Sequence, residues 1–250
     1  MPPRPALQVC VLLATLLLAQ SAPASLIAWW NFDDGTANDQ SGGAYHLGAV
    51  GSGASFAGGQ ASFSGNEGSP GYLELAGPGG MTDYTVSLQV RADTPFDQGT
   101  FQGIFSNNNS SGAAFSWQIE NSGGTYQWRN QAGTFVIGTP TGGFDHIVVR
   151  KFGGNDGDIW FNGVQVLSSI GANPGGLQNF RLGTNRNSNS FYAMTLDDVR
   201  VYDTLENPLL IPEPASALLL ALGLVSLGLS SGSRSAGRQG CPPGCPRPTH

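Results

Sequence analysis

The chain predicts an all-β fold, an antiparallel two-sheet sandwich of the jelly-roll kind, and three observations lead there. Glycine and proline recur throughout, 37 and 16 times in 250 residues. Between them lie short runs in which apolar and polar residues alternate. No stretch of ten residues in the central region carries the apolar stripe of a helix. A period of two is what a half-buried strand demands, since successive side chains leave a sheet on opposite faces. With roughly a dozen such runs, two packed sheets bury them most economically.

Taken in order, the runs begin with Ala28-Trp29-Trp30-Asn31-Phe32, which ends in the acidic turn Asp33-Asp34-Gly35. Tyr84, Val86, Leu88 and Val90 share one face of the next clear strand, with Thr85, Ser87 and Gln89 on the other. Phe115 to Ile119 and Thr125 to Trp128 form a hairpin across Asn121-Ser122-Gly123-Gly124. Asp158 to Val166 is a second hairpin, and its Asn162-Gly163 step supplies the two positive φ angles of a type I′ turn. In the last run, Leu196 to Tyr202, counting by twos puts Asp197, Val199 and Val201 on one buried face.

Neither end reads as part of the sandwich. Arg4, the apolar run Val9 to Ala19 and the small residues Ala22-Pro23-Ala24 predict a signal peptide over 1–24, cleaved after Ala24. Cys10 follows Val9 rather than a small residue, so it belongs to that signal and not to a lipid-attachment site. Near the other end, Pro212-Glu213-Pro214 opens a run without charge from Ala215 to Gly232, followed by Arg234 and Arg238. As an apolar helix rising ~1.5 Å per residue, 215–232 reaches roughly 27 Å, enough to cross a thin bilayer with the arginines on the cytoplasmic side. The order resembles the PEP-CTERM sorting signal of bacteria that export proteins through an exosortase system. That resemblance spans 207–238 and implies an exosortase-like processing enzyme, transient residence in the inner membrane, and then the cell surface or extracellular space. The tail 239–250, with Cys241 and Cys245, is longer than such a signal carries, and two thiols make no zinc site.

The domain between, 25–206, has the length of one ordinary unit. Residues Ser25 to Leu210 hold sixteen acidic and seven basic side chains, a net charge of −9. That excludes nucleic acid as a partner and suits metal cations or neutral glycans. All three cysteines lie outside it, so the core must hold without disulfides.

Nine motifs succeed one another across the domain: Ala28 to Asp34, Asp39 to Gly42, Phe63 to Gly65, Tyr72 to Leu75, Tyr84 to Val90, Phe144 to Val149, Asp158 to Gly163, Phe180 to Gly183 and Leu196 to Tyr202. That succession resembles the concanavalin A-like lectin/glucanase superfamily in its laminin-G-like branch. The resemblance implies an antiparallel jelly roll whose first and last strands are neighbours, with His146 a structural histidine at the head of a core strand. Such folds carry lectins, adhesion modules, glycan-binding appendages and hydrolases, so function must come from sites.

The hydrolases of this fold carry a Glu-x-Asp-x-x-Glu run that sets two carboxylates on one strand face. Glu67, Glu74, Glu120 and Glu206 stand in no such run, and His46 and His146 read as loop and core residues, so no enzyme is expected. An inward Asp197 beside Asp33 and Asp39 predicts a structural Ca²⁺, since hard carboxylate oxygens suit that ion. The alternative is that Asp197 caps backbone amides or pairs with Arg200 or Arg181. For a glycan, the candidates are Phe191, Tyr192 and Asn187 at the donor-rich loop Thr184 to Ser190, while Trp117 and Trp128 read as core. The expected function is glycan or exopolysaccharide binding by an exported protein. A structural or adhesive matrix component without a small ligand is the second reading.

The exported form is expected to begin near Ser25 and to lack the apolar run, which mass spectrometry of secreted material checks. Intact extracellular peptides spanning Pro214 to Arg238 would rule this out, and Glu213→Ala is expected to hold the protein in the membrane fraction.

Overall fold

The computed structural model describes residues 26–66, 70–76, 81, 83–93, 95–96, 98–108, 116–152, 156–170 and 177–207, all within the unit Met1–Leu210. The signal peptide, the sorting residues Pro212, Glu213, Pro214, Arg234 and Arg238, the apolar segment and the tail lie outside the described residues.

Among the described residues there are fifteen strands and no helix. They are β1 (Leu26–Trp30), β2 (Gly48–Gly51), β3 (Ala54–Ala57), β4 (Gln60–Ser64) and β5 (Gly71–Ala76). Then come β6 (Tyr84–Ala92), β7 (Gln102–Asn108), β8 (Trp117–Ser122), β9 (Thr125–Asn130) and β10 (Gly133–Gly138). The last five are β11 (Asp145–Phe152), β12 (Asp156–Phe161), β13 (Val164–Leu167), β14 (Asn179–Leu182) and β15 (Ala193–Tyr202). One sheet runs β13-β12-β11-β6-β15-β4-β3, with β1 also paired to β15, and the other runs β10-β9-β8-β7-β14-β5-β2. Every paired ladder is antiparallel.

The two expected hairpins form. Ser122 pairs Thr125 across Gly123-Gly124, and Phe161 pairs Val164 across Asn162 (φ 49°) and Gly163 (φ 78°). Positive φ at both central positions matches the strand twist, which is why Asn-Gly serves there. Asn162 also ties the turn to β11: its Oδ1 accepts from His146 N at 2.8 Å, and its Nδ2 donates to Asp145 Oδ1 at 2.9 Å. The first and last strands are neighbours, with Trp30 opposite Val199.

Alternation builds the core. Tyr84, Val86, Leu88 and Val90 face inward and are fully buried, as are Trp117, Ile119, Tyr126 and Trp128 from the other sheet. A row of rings runs Trp30–Phe180–Phe105–Trp117–Trp128, with successive centroids 5.4, 5.4, 5.3 and 4.7 Å apart. Three aromatic pairs join the sheets: Trp30 on Phe180, Tyr84 on Trp117 at 6.2 Å and Phe161 on Tyr126 at 6.0 Å. Such pairs add to the free energy of burial and fix ring geometry.

One inference from the sequence is corrected here. Leu196 lies opposite Val90 and Asp197 opposite Gln89, yet Arg200 lies opposite Ser87, so β15 has an extra residue between them. This bulge switches the parity of the strand. Met194 and Leu196 before it, and Val199 and Val201 after it, all face the core, while Asp197 shares the outer face with Thr195 and Arg200. Counting by twos cannot see an inserted residue. Asp198 sits in the bulge at φ 47°, a conformation that Asp tolerates better than most residues. Its Oδ1 accepts from Arg200 Nε at 2.8 Å and Trp29 Nε1 at 2.7 Å, and Arg200 lies 5.3 Å from the Trp29 ring centre.

Burial pushes the Asp198 carboxyl up despite Arg200 and Trp29, so the pair does not offset its own desolvation. Removing one partner therefore strands the other. Asp198→Ala is expected to cost about 3 kcal/mol and to lower the melting temperature by roughly 6–12 °C. Asp198→Asn, which keeps an acceptor and tolerates the bulge, is expected to lose less; thermal melts of both variants provide the comparison.

Candidate functional site

The residues that face out of the second sheet are fixed by those that face in. With Trp117, Ile119 and Trp128 in the core, Gln118, Glu120 and Arg129 must leave the opposite face. Gln118 pairs Arg129 across β8 and β9. Glu120 is fully buried there, accepting from Arg129 Nε at 2.7 Å and from Gln118 Nε2. A charge so enclosed needs such partners.

The loop from β14 to β15 lies over this floor. It can approach because β7 presents Gly103: a Cβ there would sit 2.1 Å from Thr184 C and 2.2 Å from Asn185 N. Ser106 Oγ donates to Thr184 O at 3.0 Å. Asn185 organises the turn, its Oδ1 accepting from the amides of Asn187 at 3.2 Å and Asn189 at 3.1 Å. Its Nδ2 donates to Asn189 Oδ1 at 2.8 Å. This is the local side-chain-to-backbone pairing that makes Asn a loop residue. Arg186 is pinned at both ends of its residue: its amide donates to Gln118 Oε1 at 3.0 Å, and its carbonyl accepts from Arg181 Nη1 at 2.9 Å. Arg181 in turn bridges to Glu74 at 2.5 Å.

Between floor and loop opens a cleft of 280 Å³ lined by Phe101, Gln118, Arg129, Asn185, Arg186, Asn187 and Asn189. Phe101 stands at its edge, 47 % exposed and at φ 59°, with the Arg129 guanidinium 4.3 Å from its ring centre. A bulky residue at positive φ is strained, and strain of this kind gathers at ligand sites. The cleft thus combines an accessible aromatic face, amide side chains and two guanidinium groups. Among the described residues a broader depression of 400 Å³ at β3 and β4 offers serine hydroxyls and Asp93, but its one ring, Phe63, is buried.

Of the ligand residues expected from sequence, Asn187 lines the cleft. Phe191 is only 6 % exposed, stacks on Tyr72 at 6.4 Å and bridges to Gly103 and Thr184, so it anchors the loop from beneath. Tyr192 is fully buried in the core, where burial drives its phenol up, and it has no face for a sugar. Phe101, Gln118, Arg129, Asn185, Arg186 and Asn189 complete the cleft. The Asn-rich composition of the loop pointed to three of these; Gln118 and Arg129 follow from the alternation around Trp117 and Trp128.

The three acids expected to share a metal part company. Asp39, 8 % exposed, accepts from the amides of Trp29 at 2.9 Å, Ser41 at 2.8 Å and Tyr45 at 3.1 Å, and from Ser41 Oγ at 3.0 Å. Burial raises its carboxyl, but those hydrogen bonds outweigh it and hold the group below the usual range. Its oxygens are spent on the loop. His46 Nδ1 accepts from Asp39 N at 3.1 Å, so that histidine also serves the loop. Asp197 faces out, its Oδ1 accepting from the Asp198 amide at 2.6 Å. Its carboxyl is pushed up to about 6, by burial first, against the Asp198 amide and with the charges of Asp198 and Asp33. Asp33 and Asp197 are therefore electrostatic neighbours, and Asn31 Nδ2 donates to Asp33 at 2.7 Å. Among the described residues no three His, Cys, Asp or Glu side chains converge as a metal site.

The sequence model of the laminin-G-like family in the concanavalin A-like lectin/glucanases superfamily matches residues 67–208. No curated protein matches the sequence. Among solved structures, the chain is similar to the fourth domain of an extracellular arabinanase from Geobacillus stearothermophilus, in complex with arabinotriose. The TM-score is 0.59 at 19 % identity, covering 74 % of this chain and 96 % of that one. It is similar to a sialidase from Trypanosoma rangeli in complex with sialic acid, at TM-score 0.57 and 13 % identity, covering 74 % of this chain and 32 % of that one. The binding domain of botulinum neurotoxin serotype D matches at TM-score 0.56 and 12 % identity, covering 80 % of this chain and 51 % of that one. The chain thus spans about half of the toxin domain and a third of the sialidase, and at these identities the likeness is one of fold.

Proposed function

The chain belongs to the concanavalin A-like lectin/glucanase superfamily, and from that premise we propose that it is an exported, non-catalytic glycan-binding protein that holds its ligand in the cleft between the second sheet and the Asn185–Asn189 loop. The observation that carries this reading is Phe101, a strained, half-exposed ring beside two guanidinium groups and three asparagines. Sugars bind such places because their C–H faces stack on rings while planar polar groups meet their hydroxyls. The arabinotriose and sialic acid held by two proteins of similar fold support a saccharide ligand. A non-catalytic role is supported by the floor: Glu120 is buried and bound by Arg129 and Gln118, whereas glycoside hydrolysis uses two carboxylates flanking the bond.

Export, passage through the inner membrane and processing by an exosortase-like enzyme belong to the same proposal and rest on the two terminal segments. A structural Ca²⁺ is retained in it only at Asp33 and Asp197, with carbonyls or water completing the shell. There it would tie the segment after β1 to β15.

On a glycan array, the full-length protein in mild detergent is expected to retain a subset of oligosaccharides. Phe101→Ala is expected to weaken that binding roughly tenfold, whereas Phe191→Ala is expected to lower the melting temperature. Silence across the array from a folded protein, with and without chelator, would favour the adhesive or structural reading instead.

Asp197 gives a second expectation. Its folded carboxyl titrates near 6, above the ordinary value of 3.8, so between those limits the native state holds more proton than the unfolded one. Stability therefore falls as pH rises from about 4 to about 6. In chelator, Asp197→Asn is expected to flatten this slope and raise the melting temperature at pH 7. Added Ca²⁺ is expected to raise the wild-type melting temperature by roughly 5–10 °C at a hundredfold excess over Kd, and not that of Asp197→Asn. Indifference of the wild type to calcium would remove the ion from the proposal.

A further inference from the structure

Building on the glycan-binding reading, we propose that the cleft selects sugars that carry a carboxylate, and that Arg186 is the group that pairs with it. Four arginines are already in ion pairs: Arg129 with Glu120, Arg150 with Asp158, Arg181 with Glu74 and Arg200 with Asp198. Arg91 donates to Thr195 Oγ1 at 3.2 Å and lies 5.0 Å from the Phe144 ring centre. Arg186 has no carboxylate partner among the described residues, and its Nη1 is closed off from solvent without an acceptor. A charged donor that has lost water and gained no acceptor is unfavourable, and such a group in a native structure calls for an explanation, a bound ligand being one.

The surroundings are arranged for that ligand to be an acid. The Arg186 backbone is held by Gln118 on one side and Arg181 on the other, so its guanidinium springs from a fixed root at the wall of the cleft. The acid of the floor, Glu120, is neutralised by Arg129 and lies fully buried, so it presents no free charge to repel an anion. With Glu120 and Arg129 cancelling, Arg186 leaves the cleft with one net positive charge inside a domain whose balance is −9. A hydroxyl would satisfy Nη1 as a neutral acceptor. A carboxylate does so with charge and with the planar geometry that a guanidinium fork matches, which makes the bond about twice as strong. Phe101, one face taken by Arg129, is left to meet the C–H face of the same sugar.

The probes are trigalacturonate and the same trisaccharide after reduction of its carboxyl groups, titrated calorimetrically into the full-length protein in mild detergent. The wild type is expected to bind the acidic probe at least tenfold more tightly. Arg186→Gln is expected to bring the acidic probe down to the affinity of the reduced one, with a melting temperature that is not lowered, and Arg186→Lys to recover part of the preference. Equal affinities in the wild type, or a preference that survives Arg186→Gln, would overturn the assignment. Binding of neutral array glycans with neither probe retained would overturn it too while leaving the glycan-binding reading intact; silence on every glycan would remove both.

Discussion

The row of contacting rings from Trp30 through Phe180, Phe105 and Trp117 to Trp128 is the constraint on which the rest depends. The domain has no disulfide to staple its sheets, since all three cysteines fall outside it. Four of the five rings line one sheet. The contacts of Trp30 with Phe180, Tyr84 with Trp117 and Phe161 with Tyr126 cross the ~10 Å gap and hold the sheets through buried area and fixed geometry. They also settle what lies outside. A strand that commits Trp117 and Ile119 inward has no choice about Gln118 and Glu120. The floor of the cleft is the obligatory reverse side of the core, and its arginine, glutamine and glutamate are placed as rigidly as the tryptophans between them.

Where the regular pattern breaks, the polar features collect. The bulge of β15 turns Asp198 to Trp29 and Arg200 and leaves Asp197 beside Asp33. The register shift in β7 falls between Gly103 and Phe105, where the β14–β15 loop makes its close approach. Phe101 and Ser188, both non-glycine residues at positive φ, flank that approach from two different connections. Bulges and strained residues re-aim side chains that a regular ladder would hold in alternation. The cleft therefore lies where two irregular segments meet over a regular floor, and side-chain hydrogen bonds of Asn185 hold the loop that covers it.

The regular part was legible in the sequence and the irregular part was not, for the same reason. Asn162-Gly163 and the Tyr84 to Val90 alternation needed only local propensity and a period of two, while the pairing of first and last strands came from the family resemblance. Counting by twos puts Asp197 on the face of Val199 and Val201 because one extra residue in β15 inverts the parity between them. Tyr192 and Phe191 read as surface rings because they adjoin a polar loop, yet both are buried just before β15 begins. Phe101 carries no periodic signal at all; its exposure is a property of the backbone angle. That Arg186 keeps a buried Nη1 without an acceptor among the described residues could not be read either. It depends on Arg181 finding Glu74, 107 residues away along the chain, and on Arg129 finding Glu120.

This distribution of pairs changes how charge acts on a ligand. Six of the seven basic side chains of the domain lie outside the role proposed for Arg186, and the sixteen acids leave the surface negative as a whole. At physiological ionic strength charges are screened beyond ~8 Å. An acidic glycan therefore meets weak repulsion from the domain at a distance and attraction only at contact, where a partly desolvated guanidinium is screened least. Added salt relaxes the repulsion before it reaches the contact. A broadly basic surface, which gathers polyanions through its long-range field, responds to salt in the opposite sense. The selection proposed for Arg186 is thus a matter of fit at short range, and the pairing of Arg129 and Arg181 with Glu120 and Glu74 is what keeps it so.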